Sequence, residues 1–154
     1  QKGYPTSTIP STYPEQSFKA KPRLGLIIQK SEVLEGIHES NTCIINALSQ
    51  EQHIGVGGRT YGRPGRIEDS ENVPTTELID PETNEFYPAA FIAERFASVG
   101  TQSSDRVLTY CGGGIAASAT AFFLIMLGHT NVGLYDNSLS EWAIDEALPM
   151  EIGD

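Results

Sequence analysis

An α/β domain with a mainly parallel central sheet and helices on both faces is predicted by three observations. Apolar, β-branched runs recur along the chain, amphipathic stretches separate them, and the length suits a single core. The 154 residues make one domain with some chain left for a linker, so two full domains are excluded. With 39% apolar residues the chain can bury an ordinary core, and no internal repeat is detectable.

Residues 1–22 hold Pro5, Pro10, Pro14 and Pro22 among Ser, Thr and Tyr without helical or alternating periodicity, which predicts an extended arm before a domain at 23–154. After the short apolar run Leu24 to Ile28, Ser31 is placed to cap a short helix with Val33, Leu34 and Ile37 on one side. Thr42 to Leu48 is a β-branched apolar run, expected as a central strand with Cys43 in its packing. From Gly55 to Asn72, five glycines and the arginines Arg59, Arg63 and Arg66 predict a loop able to meet an anion. Pro81 to Asn84 reads as a turn. Pro88 opens a helix over Ala89–Ser98, whose apolar face is Phe91, Ile92, Phe96 and Val99 and whose stop is Gly100.

The last third is the clearest. Arg106–Tyr110 reads as a strand, a glycine cluster follows, and a helix runs to Leu127 with Gly128 as its stop. Val132–Tyr135 reads as another strand, and a final helix is expected from about Leu139 to Ala147 with Trp142 in the core.

Composition narrows the function. A formal charge of −10 repels phosphate backbones, so nucleic acid is not an expected partner. The richest apolar stretch, Ile115 to Leu127, is too short for a membrane span and carries Ser118 and Thr120. Two cysteines are too few for a disulfide framework, which fits a reducing, cytoplasmic setting, while the start at Gln1 reads as a processed or excised chain. His38, His53 and His129 lack metal-ligand spacing, so neither a metal nor a cofactor is expected.

Cys111 falls directly after a predicted strand and directly before Gly112, Gly113 and Gly114, the place where parallel sheets gather functional groups. Consecutive glycines let main-chain amides turn inward, and the helix from Ile115 adds the positive end of its dipole. Such a cradle suits a nucleophilic sulfur anion. Phosphatase chemistry would need an arginine six positions on to clamp phosphoryl oxygens, and that position is Ala117. None of the three histidines has a recognisable protease-like context. Sulfur transfer needs less: a thiolate takes a sulfane sulfur and main-chain donors stabilise the resulting anion.

The segment Val107-Leu-Thr-Tyr-Cys-Gly-Gly-Gly-Ile-Ala-Ala-Ser resembles the active-site loop of the rhodanese family of sulfurtransferases. Gly65-Arg-Ile-Glu-Asp-Ser-Glu-Asn-Val-Pro resembles that family's Gly-His-Ile-Pro-Gly-Ala-x-Asn-Val-Pro segment, and Leu127 to Trp142 resembles its closing strand, loop and helix. Likeness spans about Leu24 to Pro149. The opening Gln1-Lys-Gly-Tyr-Pro and the proline-rich stretch to Pro22 resemble the linker of a tandem sulfurtransferase, which implies an N-terminal rhodanese-like domain as partner. The resemblance further implies a five-stranded parallel sheet, a persulfide on Cys111, and a cradle formed by Gly112, Gly113, Gly114, Ile115, Ala116 and Ala117.

Three departures set expectations apart from the family. Its common Asp-Ala-Arg is Asn46-Ala47-Leu48 here, which removes one substrate-binding arginine and makes Arg59, Arg63 and Arg66 the candidate substitutes. The family's His is Arg66 and its Pro-Gly is Glu68-Asp69. The active loop holds no basic side chain, unlike members that favour thiosulfate, and resembles loops of mercaptopyruvate users. The expected activity is transfer of sulfur from a small anionic donor, thiosulfate or 3-mercaptopyruvate, to cyanide or a thiol. The alternative is a non-catalytic rhodanese-like interaction or redox-sensing module.

Overall fold

The computed structural model describes residues 3–101 and 105–153. Gln1 and Lys2 of the predicted arm, and Asp154 of the predicted domain, lie outside the described residues. Residues 3–22 are exposed and form neither helix nor strand.

Five parallel strands form the central sheet: β1 (Ile27–Ile28), β2 (Thr42–Asn46), β4 (Glu71–Asn72), β5 (Arg106–Tyr110) and β6 (Val132–Tyr135), in the order β1-β6-β5-β2-β4. The centre, β5, pairs with β2 from Thr42 opposite Arg106 to Asn46 opposite Tyr110, and with β6 from Val107 opposite Val132. A separate antiparallel pair joins β3 (Arg66–Ile67) to β7 (Met150–Glu151). The resemblance's five-stranded parallel sheet is thus present.

Strand alternation sorts the core into two layers. Ile44, Leu108 and Tyr110 join Ile28, Tyr135, Leu139 and Trp142 under helices α1 (Lys30–Gly36) and α5 (Ser138–Trp142). Ile45 and Val107 face the other way, with Leu78, Ile92, Phe96, Phe123 and Leu124 under α3 (Ala89–Ala97) and α4 (Ile115–Met126). Trp142 is fully buried as expected, and its Nε1 donates to Pro149 O at 2.9 Å.

Several expectations change. Helix α1 is capped at Gln29 rather than Ser31, because Glu32 Oε2 accepts the Gln29 N–H at 3.0 Å. Leu34 is 37% exposed, so Val33 and Ile37 alone carry that face inward. Phe91 is 41% exposed and packs its ring on Tyr87, 4.9 Å between centroids, instead of entering the core. The Gly55–Asn72 segment is not all loop, since it contributes β3 and β4. Helix α5 stops at Trp142 because the Arg63 guanidinium takes the carbonyls of Trp142, Ala143, Asp145 and Leu148 at 2.7–3.4 Å, holding the following chain out of the helix. Cys43 is only half-buried: its Sγ sits 3.5 Å from Thr101 Oγ1, and burial pushes its thiol up.

Candidate functional site

The C-terminal end of β5 delivers Cys111, and the four-residue helix α2 (Gln50–His53) lies beyond the neighbouring end of β2. Cys111 is 3% exposed and packs on Ala47, Ala117 and Leu134. Its shielding is closer than the sequence leads one to expect, yet it lines a cavity of about 360 Å³ together with Leu48, Arg59, Tyr61, Gly112, Gly113, Ile115, Ala116 and Ser140.

The loop after Cys111 is gripped from behind by the first turn of α5. Ser138 Oγ accepts the Cys111 N–H at 3.0 Å and donates to Tyr135 O at 2.7 Å. The Leu139 N–H donates to Cys111 O at 3.1 Å and the Ser140 N–H to Gly112 O at 2.9 Å, with Ser140 Oγ adding a second donor to Gly112 O. Carbonyls 111 and 112 are therefore tied to this turn. Among the described residues, the N–H groups of Gly112, Gly113, Gly114, Ile115, Ala116 and Ala117 have no protein acceptor. Gly114 caps α4 at φ +82°, and a Cβ there would overlap the Asp136 carboxylate, so glycine is required. The six residues named from the sequence thus span the loop after Cys111 and the first turn of α4, whose dipole is positive at this end.

The arginines divide. Arg59 lines the Cys111 cavity, its guanidinium 5.1 Å from the centre of the Tyr61 ring. Arg63 is committed to the carbonyls after α5, and Arg66 pairs with Glu151 at 3.0 Å and donates to Gly153 O. Neither lines the Cys111 cavity; both hold the chain around β3 and β7.

At the Asn46-Ala47-Leu48 corner, Asn46 is fully buried and its Oδ1 accepts the Leu48 N–H at 3.0 Å. That leaves its Nδ2 to face His53 Nδ1 at 3.2 Å, so Nδ1 accepts and Nε2 carries the ring proton. Burial first, and the Arg66 charge second, lower the His53 pKa to about 4. Asn72 Nδ2 closes the corner by donating to the carbonyls of Asn46 and Leu48 at 3.0 and 2.9 Å. Leu48, standing in the place of the family's arginine, presents an apolar wall to the cavity.

On the other side of Cys111, the buried Tyr110 hydroxyl accepts the Ile67 N–H at 3.0 Å and sits 2.7 Å from Ser70 Oγ. Burial pushes this phenol well above its usual range, so it stays protonated. Ser138 and Tyr61 were invisible to sequence reasoning because their partners lie far along the chain; only the family-like closing segment around Ser138 offered a signal. No group of three or more His, Cys, Asp or Glu side chains is gathered for a metal among the described residues.

A model of the rhodanese-like domain matches residues 29–145. Thiosulfate/3-mercaptopyruvate sulfurtransferase 2 of Arabidopsis thaliana is 30% identical to this chain, covering 87% of it and 40% of the plant protein. Putative thiosulfate sulfurtransferase 1 of Mycobacterium bovis is 31% identical over 98% of this chain and 57% of its own length. The chain therefore spans about half the length of these relatives. A structure of an EanB point variant in complex with ergothioneine superposes with a TM-score of 0.82 at 22% identity, over 94% of this chain and 36% of that one. The anaerobic ergothioneine biosynthesis enzyme from Chlorobium limicola, with trimethyl histidine, gives 0.79 at 21% identity, over 86% and 33%. At that identity the likeness is one of fold.

Proposed function

Because this chain belongs to the rhodanese-like domain family, we propose that it transfers sulfane sulfur through a persulfide on Cys111. One observation carries the reading: a cysteine on a 360 Å³ cavity is followed by six main-chain N–H groups with no protein acceptor among the described residues. The names of the plant and mycobacterial relatives supply the donor classes, thiosulfate and 3-mercaptopyruvate.

With thiosulfate, the Cys111 thiolate attacks the outer sulfur, the S–S bond breaks, and its electron pair leaves on sulfite. With 3-mercaptopyruvate, the thiolate attacks the thiol sulfur and the C–S pair leaves on carbon as the enolate of pyruvate, which takes up the proton that the donor's thiol gives up. Either route leaves Cys–S–S⁻, whose terminal charge the free amides stabilise without reorganising. Cyanide or a thiol then attacks the outer sulfur and releases the Cys111 thiolate. On this reading the chain is the Cys-bearing half of a tandem protein, which the length of its relatives supports.

Intact mass after incubation with each donor is the test. The mass should rise by one sulfur atom, the added sulfur should map to the Cys111 peptide and not to Cys43, and cyanide should remove it as thiocyanate. A chain that keeps its starting mass with both donors overturns the proposal in favour of a non-catalytic docking module.

A further inference from the structure

A second cavity, of about 470 Å³, lies between α2 and β4 and shares no lining residue with the Cys111 cavity. Its size falls in the roughly 300–1,000 Å³ range of small-molecule sites. His53 belongs to its wall although the residue is only 7% exposed. With Nδ1 turned inward to Asn46, the opposite edge of the ring reaches the cavity, and the Nε2–H there has no protein acceptor among the described residues. Burial holds the ring neutral, so at pH 7 it is a fixed donor. A donor this buried and still unpaired marks a place for a ligand oxygen.

The charges around this cavity are unequal. Arg66 is neutralised by Glu151 at 3.0 Å. Asp69 and Glu71, both exposed at the rim, take part in no salt bridge among the described residues. An unspent donor on the floor thus faces two unspent carboxylates at the mouth, and a chain charge of −10 adds a field that gathers cations. We propose that the cavity binds a small organic cation: an amine that also carries a neutral oxygen acceptor, a carbonyl or a hydroxyl. Its ammonium meets Asp69 and Glu71, and its oxygen accepts from His53 Nε2–H. Gln50, also on the wall, offers a carboxamide to either end. A free amino acid fits less well, because its own carboxylate faces the acidic rim. Binding here needs no reaction at Cys111.

NMR titration of the nitrogen-labelled chain at pH 7 tests this through the His53 Nε2 shift, with ethanolamine, glycinamide and β-alaninamide as probes of increasing reach. At least one should give a saturable shift. Ethylammonium, which lacks the oxygen, and glycine, which adds a carboxylate, should each bind about fivefold or more weakly than the best probe. Asp69→Asn/Glu71→Gln removes both rim charges at exposed positions and places at 69 a residue that tolerates the left-handed backbone there. It should weaken the best probe about tenfold. Cys111→Ser should bind as the parent does. The absence of a saturable shift with all three probes overturns the proposal, as does an unchanged affinity in the rim variant. Ethylammonium or glycine binding as tightly as the best probe overturns it too, and so does loss of binding in Cys111→Ser.

Discussion

The ends of β5 and β2 are neighbours in one sheet, with Tyr110 opposite Asn46, and they treat their main-chain groups in opposite ways. After β5, the carbonyls of Cys111 and Gly112 are taken by the Ser138–Ser140 turn and the following amides are left open. After β2, side chains use up the backbone: Asn46 takes the Leu48 N–H, Asn72 takes the carbonyls of Asn46 and Leu48, and His53 completes the corner. The contrast teaches that a parallel sheet supplies position alone. What leaves one strand end with open N–H groups is a neighbouring turn that occupies its carbonyls and spares its amides.

Four variants break or sharpen this contrast. The largest effect is expected at the open end, where Cys111→Ser should lower donor-to-cyanide sulfur transfer by about 10³-fold or more while the melting temperature stays close to the parent's. At the closed end, Asn46→Ala strands the half-buried Leu48 N–H and the buried His53 ring and should cost about 1–3 kcal/mol in urea denaturation. Because Asn46 does not line the Cys111 cavity, the transfer rate of the folded fraction should fall much less than in Cys111→Ser.

The next effect is one of pH. The native fold holds His53 neutral with a pKa of about 4, below the 6.5 of an unperturbed histidine, so the unfolded chain binds more protons between these values. Stability is full above pH 6.5 and should fall by about 2 kcal/mol from pH 7 to pH 5 through this group. His53→Asn, which can place an acceptor near the position of Nδ1, should flatten that slope in denaturation curves taken across the range. The smallest effect tests the grip itself: Ser138→Gly preserves the left-handed backbone at φ +52° but removes the hydroxyl that holds Cys111 N–H. About 1 kcal/mol of stability should go with it, and kcat should fall while the donor KM moves little.

The long strands were legible because Thr42–Asn46, Arg106–Tyr110 and Val132–Tyr135 are apolar runs whose composition alone distinguishes them from the turns around them. Strands β1, β3, β4 and β7 are two residues each, too short to show a period, and two of them lie in a segment whose glycines read as loop. The cysteine at a strand end and the glycine run leading into α4 could be read because they are contiguous in sequence. Their supports could not: Ser138, Tyr61 and the Asn46–His53 contact depend on the chain returning, and Arg63 and Arg66 looked like free cations until their carbonyl and carboxylate partners were in place. Asp69, where the family resemblance has glycine, adopts a left-handed φ of +56°, a conformation that glycine takes without steric cost.

Both outer strands of the sheet, β1 and β4, are two residues long. A border so brief offers an incoming polypeptide almost no ladder to extend, so open rims of an otherwise adhesive parallel sheet resist recruiting further chains into aggregates. Lengthening either rim with β-branched residues would remove that safeguard without touching the cysteine.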